Sequence, residues 1–199
     1  MLINLLSKLL KNELLINNLH FGDLVMIMKE AKLKNPMREI RVEKVVINMG
    51  VGNNRERLEK AKALLKSLTG KIPFVTKTKR RTTFGMAKGR PIGVKVTLRG
   101  EEAIKILERL LETKDKKISS RSFDKDGNFS FGIQEHIDIP GTKYDPKIGI
   151  FGMDVCVTFE RPGYRVKRRK ISSKIGDAHR IKKEEAMEFM KKKFGVEII

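Results

Sequence analysis

Tryptophan is missing from this chain, tyrosine occurs twice and cysteine once, at Cys156. A lone cysteine cannot close an internal disulfide, so stability has to come from a buried core, and a reducing compartment is expected. Long apolar runs are missing too. The leucine-rich start is broken at Lys8, Lys11 and Asn17, short of the roughly 18 apolar residues that a spanning helix needs. Neither an unbroken apolar segment nor a small-residue cleavage site is visible there, so no secretory signal is expected; no membrane partner is expected either, a peripheral membrane role for the first 25 residues being the lesser alternative.

Motifs for small-molecule chemistry are equally scarce. Gly50-Val51-Gly52 follows a strand-like segment, but Arg55 stands where a dinucleotide-binding fingerprint has its third glycine, and a plain turn is the better reading. No phosphate loop of the Gly-x-x-x-x-Gly-Lys-Ser/Thr type occurs. His20, His136 and His179 are scattered and lack paired cysteines, which argues against zinc. Glu135, His136 and Asp138 lie close together, yet residues 135 and 136 are expected on opposite sides of a strand, and a two-metal centre needs carboxylates converging from several elements. An RNA-processing enzyme or nuclease is therefore the weaker alternative. No catalytic residue, metal or cofactor is expected.

Acidic residues are absent from two particular stretches. Between Lys71 and Arg99 stand nine basic residues (Lys71, Lys77, Lys79, Arg80, Arg81, Lys88, Arg90, Lys95 and Arg99) and no acid. Between Arg161 and Gly176 stand seven more (Arg161, Arg165, Lys167, Arg168, Arg169, Lys170 and Lys174), again without one. These 45 residues carry 16 of the chain's +20 formal charge. Solubility asks only for mixed signs, whereas segregation of one sign suits a phosphate-binding surface.

Arg41 to Gly52 is rich in β-branched residues and ends in glycines, which reads as a strand and a turn. Leu58, Ala61, Leu65 and Leu68 recur at helical spacing until Gly70. Pro73 to Thr78 reads as a short strand, followed by a Gly-containing basic loop. In Ile92 to Arg99, Ile92, Val94, Val96 and Leu98 alternate with Lys95, Thr97 and Arg99, so one face is core and the other cationic. A second helix carries Ala103, Ile104, Leu107, Leu110 and Leu111, with Glu101 and Glu102 at its start. A polar loop leads to Asp126-Gly127-Asn128 and strands around Phe129 to Ile133 and Met153 to Glu160. A last helix spans Lys183 to Phe194, with Met187, Met190 and Phe194 on one stripe.

Alternating strands give a sheet with one wet face, and the helices cover the other. The fold expected is α+β: two layers, a mainly antiparallel sheet, helices on one face and a basic, RNA-facing surface on the other. Residues 1–25 read as an over-extended start, with Met26 or Met28 as initiator, or as a disordered extension, and residues 26–199 as a single RNA-binding domain. No strand is expected to carry an aromatic on its wet face, which argues against a single-strand stacking platform and for folded RNA held by phosphate and 2′-hydroxyl contacts. Phe84, in the middle of the basic loop, is the aromatic expected to touch a partner.

Several longer words then stand out: NPMREI from Asn35, VVINMGVG from Val45, SLTGKIPFVTK from Ser67, PIGVKVTLRG from Pro91, NFSFGIQEHIDIPG from Asn128, YDPKIGIFGMDV from Tyr144 and ERPGYRVKRRK from Glu160. In this order, over residues 35–196, they resemble the universal large-subunit ribosomal protein number five, the 5S rRNA-binding family. The later words and HRIKKEEAM from His179 are closest to the archaeal and eukaryotic branch, and the short tail to its archaeal members.

The resemblance implies a non-catalytic, cytoplasmic constituent of the large ribosomal subunit. Its partners would be 5S rRNA and large-subunit rRNA in the central protuberance, P-site tRNA, and neighbouring ribosomal proteins including one of the small-subunit head, reached across an intersubunit bridge. Carried over, the rRNA-contacting positions are Asn48, Lys71 and Thr97, with Thr76, Lys77, Lys79, Lys95 and Arg99 around them and Arg165, Lys167, Arg168 and Arg169 in the second basic run. The tRNA-facing loop would be Arg80 to Arg90, using Arg80, Arg81, Phe84, Lys88 and Arg90. Many members have glutamine where this chain has Lys71, which exchanges an amide hydrogen bond for a charge contact.

Overall fold

The computed structural model describes residues 35–81 and 87–199. The expected over-extended start and Phe84 lie outside them. Residues 40–160 with 176–199 form one compact unit, and residues 161–175 with the described residues 35–39 belong to another.

The larger unit contains, in chain order, β1 (Arg41–Gly50), α1 (Arg55–Thr69), β2 (Phe74–Lys77), β3 (Pro91–Leu98), α2 (Glu101–Glu112), β4 (Lys117–Ile118), β5 (Phe129–Ile133), β6 (Met153–Glu160), α3 (Lys183–Phe194) and β7 (Glu197–Ile198). Five strands pair antiparallel throughout, in the order β2-β3-β1-β6-β5. Period-two alternation decides which side is dry. Val45, Ile47 and Met49 of β1, Val94, Val96 and Leu98 of β3, and Val155, Val157 and Phe159 of β6 are all buried. At about 1.5–3 kcal/mol per buried large apolar side chain, this one face dominates the stability of the sheet.

The helices close that side. Helix α1 packs on β3 and α2 on β1, while the Phe189 ring of α3 meets Phe159 of β6 edge-on at 5.4 Å. Local chemistry sets their ends. The side chain of Asn54 accepts the Arg57 N–H at 3.2 Å to open α1, and Gly70 closes it in the left-handed conformation at φ 69°. Glu185 reaches back to accept the Lys182 N–H at 3.0 Å, opening α3. The stripe on α3 is Ala186, Met190 and Phe194, with Met187 only half-buried at its margin.

Two features depart from the expected pattern. Between Val42 and Lys44 the β1–β6 register slips by one residue, and Glu43 is the extra one. The stretch expected as a polar loop after α2 is tied down: Ile118 and Phe123 are buried, and Lys117 and Ile118 pair in parallel with Glu197 and Ile198.

In the smaller unit, Asn35 caps a turn at Pro36–Arg38 by accepting the Met37 N–H. Gly163, at φ 95°, opens a second turn at Tyr164–Lys167. The Arg169 Nε–H donates to the Ile171 carbonyl at 2.8 Å, and the Ser173 N–H to that of Val166 at 3.1 Å. No helix among the described residues is long and apolar enough to cross a membrane.

Candidate nucleic-acid interface

The open face of the sheet is laid out by strand register. One row runs across all five strands: Phe74 stands opposite Lys95, Lys95 opposite Asn48, Asn48 opposite Asp154, and Asp154 opposite Gly132. The next row runs from Thr97 to Val46, Cys156 and Ser130. Thus Asn48 becomes a neighbour of Lys95 and Thr97, which lie far from it in sequence, and Thr76 joins them opposite Gly93. Lys95 and Thr97 are exposed; Asn48 and Thr76 are half-buried.

The wet face is not uniformly cationic, as the alternation in β3 suggested. Asp154 and Glu160 of β6, exposed and half-buried, lie on it, and Glu43 sits at the bulge of β1 near its end. Coulomb repulsion therefore disfavours a phosphate backbone over β6 and favours it over β2, β3 and the near side of β1. Two expected phosphate contacts also have acidic neighbours. The Arg99 guanidinium lies 3.4 Å from Glu43 Oε1, at the bulge, and the Lys71 ammonium pairs with Glu102. Both basic side chains keep much of their surface exposed, and such surface pairs contribute only about 0.2–1 kcal/mol, so neither carboxylate holds its partner firmly.

The reading that no strand carries an aromatic on the wet face is corrected. Phe74 is 66 % exposed there, with the Lys95 ammonium 5.6 Å from its ring centroid. β2 is an edge strand, so its outward residues have a neighbour on one side only.

Thr78 fixes the base of the basic loop. It is nearly buried, its hydroxyl donates to the Ala87 carbonyl at 2.7 Å and accepts the Arg90 N–H at 3.1 Å, and its backbone exchanges bonds with Gly89 and Arg90. Lys77, Lys79, Arg80, Arg81, Lys88 and Arg90 are all exposed around this closure. In the smaller unit Arg165, Lys167, Arg168 and Arg169 are exposed. Arg161, counted with that run, is buried, so it is withdrawn from any phosphate.

Glu135 and His136 do not share a strand; Glu135 leads into a short turn at His136–Asp138. His136 is buried, its Nδ1 accepting the Phe151 N–H at 3.4 Å, and its carbonyl accepts the Thr142 hydroxyl at 2.8 Å. It pins the segment leading into β6. Among the described residues no three His, Cys, Asp or Glu side chains gather where a metal ion could sit.

Comparison with known proteins agrees with this geometry. Residues 91–194 match the family model of the ribosomal L5P family C-terminus, and residues 35–83 that of ribosomal protein L5. The chain belongs to the ribosomal protein L5 family. The protein named large ribosomal subunit protein uL5 in Sulfurisphaera tokodaii is 54 % identical over 175 residues, covering 86 % of this chain and 99 % of its own length. The uL5 proteins of Methanococcus vannielii and Nanoarchaeum equitans are 49 % and 54 % identical, over 87 % and 84 % of this chain and 99 % and 100 % of theirs. These relatives are archaeal, in keeping with the branch that the later words resembled. A member of the L5 family is a ribosomal protein, with a structural and not a catalytic role, and its place is in the cytoplasm with the ribosome.

Proposed function

We propose that this protein is a component of the large ribosomal subunit that holds 5S rRNA against the β2-β3-β1 part of its open sheet face. The observation that carries the reading is the register: Asn48 and Lys95 stand directly opposite one another, with Thr97 two residues along, in a region whose basic stretch contains no acid. Lys95, Arg99, Lys77 and Lys79 supply charge to phosphates. Asn48, Thr76 and Thr97 supply short polar groups that suit 2′-hydroxyls and the edges of a shallow groove. Lys71 is released from Glu102 to a phosphate, and Arg165, Lys167, Arg168 and Arg169 add contacts to large-subunit rRNA.

The same reading places the protein in the central protuberance, beside neighbouring ribosomal proteins and in a bridge to the small-subunit head, with the loop from Arg80 to Arg90 reaching P-site tRNA. A loop closed at its base by Thr78 and dense in exposed cations suits a partner that arrives and leaves, while a hydrogen-bonded sheet suits a permanent one. The test is a titration of purified 5S rRNA with wild-type protein and with Asn48→Ala and Thr97→Ala. Each variant is expected to bind several-fold more weakly while melting normally. Wild-type protein that binds 5S rRNA no better than an unrelated structured RNA of equal length would overturn the proposal.

A further inference from the structure

Phosphate and 2′-hydroxyl contacts leave the exposed ring of Phe74 on the open face unused. Phe74 is two-thirds exposed at an edge strand and Ile72, two residues before it, is 87 % exposed, so apolar surface gathers at this edge as it does where a partner covers it. The surroundings of Phe74 limit what that partner can be. It lies inside the acid-free stretch 71–99, its cross-strand partner is Lys95, and the ammonium of that lysine hovers 5.6 Å from the ring centroid. Asp154 lies on the far side of Asn48, two strands beyond Lys95. An apolar protein surface pressed here would desolvate Lys95 without offering it a counter-charge. A nucleotide meets both needs, since its base has an apolar face for the ring and its phosphate an anion for the ammonium.

Resting on the reading that this face binds 5S rRNA, we propose that Phe74 is a stacking platform for one unpaired nucleobase of that RNA, with Lys95 holding the phosphate beside it. The base has to be unpaired, because in a duplex both faces of each base are already covered by neighbours. Phe74 thereby reads RNA structure: it selects a bulge, loop or strand end over continuous helix. Lys95 serves two partners in turn, the ring in the free protein and the phosphate in the complex.

The test uses the full chain and purified 5S rRNA. Phe74→Ala and Phe74→Leu are both expected to weaken binding about 5- to 150-fold, which at 1.4 kcal/mol per decade corresponds to the loss of one base–aromatic stack. Leucine keeps apolar bulk but no π-face, and guards against misreading a folding defect. Because stacking releases no counterion, the slope of log affinity against log salt should match wild type in both, whereas Lys95→Ala should lower it by about one phosphate. Phe74→Trp should bind at least as well as wild type, and its tryptophan, the sole one in the chain, should lose emission on binding. Leucine at wild-type affinity, a changed salt slope in Phe74→Ala, or an unquenched tryptophan in a formed complex would each overturn the stacking proposal. If wild-type protein fails to bind 5S rRNA, the functional reading itself falls.

Discussion

In a Gly93→Ala variant the added methyl would sit 2.6 Å from the carbonyl oxygen of Met49 and 3.0 Å from the Thr76 hydroxyl oxygen. The first of these is backbone of the central strand and cannot rotate away. It falls about 0.8 Å inside the 3.4 Å at which ordinary contact begins, so β1 and β3 must part locally or β3 must tilt. Overpacking of this kind costs about 1–3 kcal/mol. At about 2–4 °C per kcal/mol for a chain of this size, the melting temperature should fall by about 2–12 °C. Gly132→Ala is the matched control, because its methyl would meet nothing nearer than Asp154 Oδ1 at 3.7 Å. Glycine inside a strand costs about 0.5–1 kcal/mol relative to alanine, so this variant should be slightly more stable than wild type. Gly93 also adjoins the Asn48–Lys95 pair, so Gly93→Ala should lose 5S rRNA affinity while Gly132→Ala keeps it. Circular dichroism melts at one fixed salt concentration, beside an RNA titration, read out both. A Gly93→Ala protein as stable as wild type would refute the close-approach argument.

Three further outcomes are expected. If about 6–10 of the exposed basic groups neutralise phosphates, 5S rRNA affinity should fall about 10³- to 10⁵-fold between 50 and 200 mM salt, and a flat titration would remove the electrostatic basis of the reading. Lys95→Ala with Arg99→Ala should weaken RNA binding with the melt unchanged, whereas Val96→Ala, at a site 4 % exposed, should cost about 1–3 kcal/mol of stability by denaturant titration; the reverse pattern would mean the faces are misassigned. Replacing residues 86–88 by a Gly-Ser turn should leave 5S rRNA affinity within about 1 kcal/mol but speed P-site tRNA dissociation from ribosomes carrying the variant, and collapse of 5S binding alone would place the loop in the rRNA site.

Much of this architecture was legible wherever a periodic pattern coincided with a cap. Helix α1 could be read from Leu58 to Gly70, and β3 from an alternation that Val94 to Leu98 follow, while Ile92 is only half-buried and Gly93 is buried. What escaped had no local signal. Two residues, Lys117 and Ile118, have no period to detect, and their partners lie about eighty positions away. Phe74 sits in Pro73-Phe74-Val75, an apolar run that reads as core until the sheet order makes β2 an edge. Thr78 reads only as the last residue of a short strand; the fold brings Ala87 and Arg90 to its hydroxyl. The acids of the wet face were visible as residues, but their position relative to Lys95 depended on β1 lying between β3 and β6. Of the interface, then, the sequence could supply the charge, and pairing across long separations supplied the layout.

The central position of β1 has a consequence for how the chain is made. Its partner β3 emerges soon after it, but β6 begins at Met153, about a hundred residues beyond the end of β1 at Gly50. At the usual pace of about 5–20 residues per second, one side of the central strand waits some 5–20 s for its neighbour. In that interval β1 presents an open hydrogen-bonding edge with Val45, Ile47 and Met49 beside it, the kind of template on which nascent chains from one messenger pair with each other. Arg41, Glu43 and Lys44 at its beginning act as gatekeepers, and the basic stretch completed by Arg99 makes each growing chain repel the next. The charge that the proposed function assigns to RNA would thus first keep unfinished copies of the protein apart.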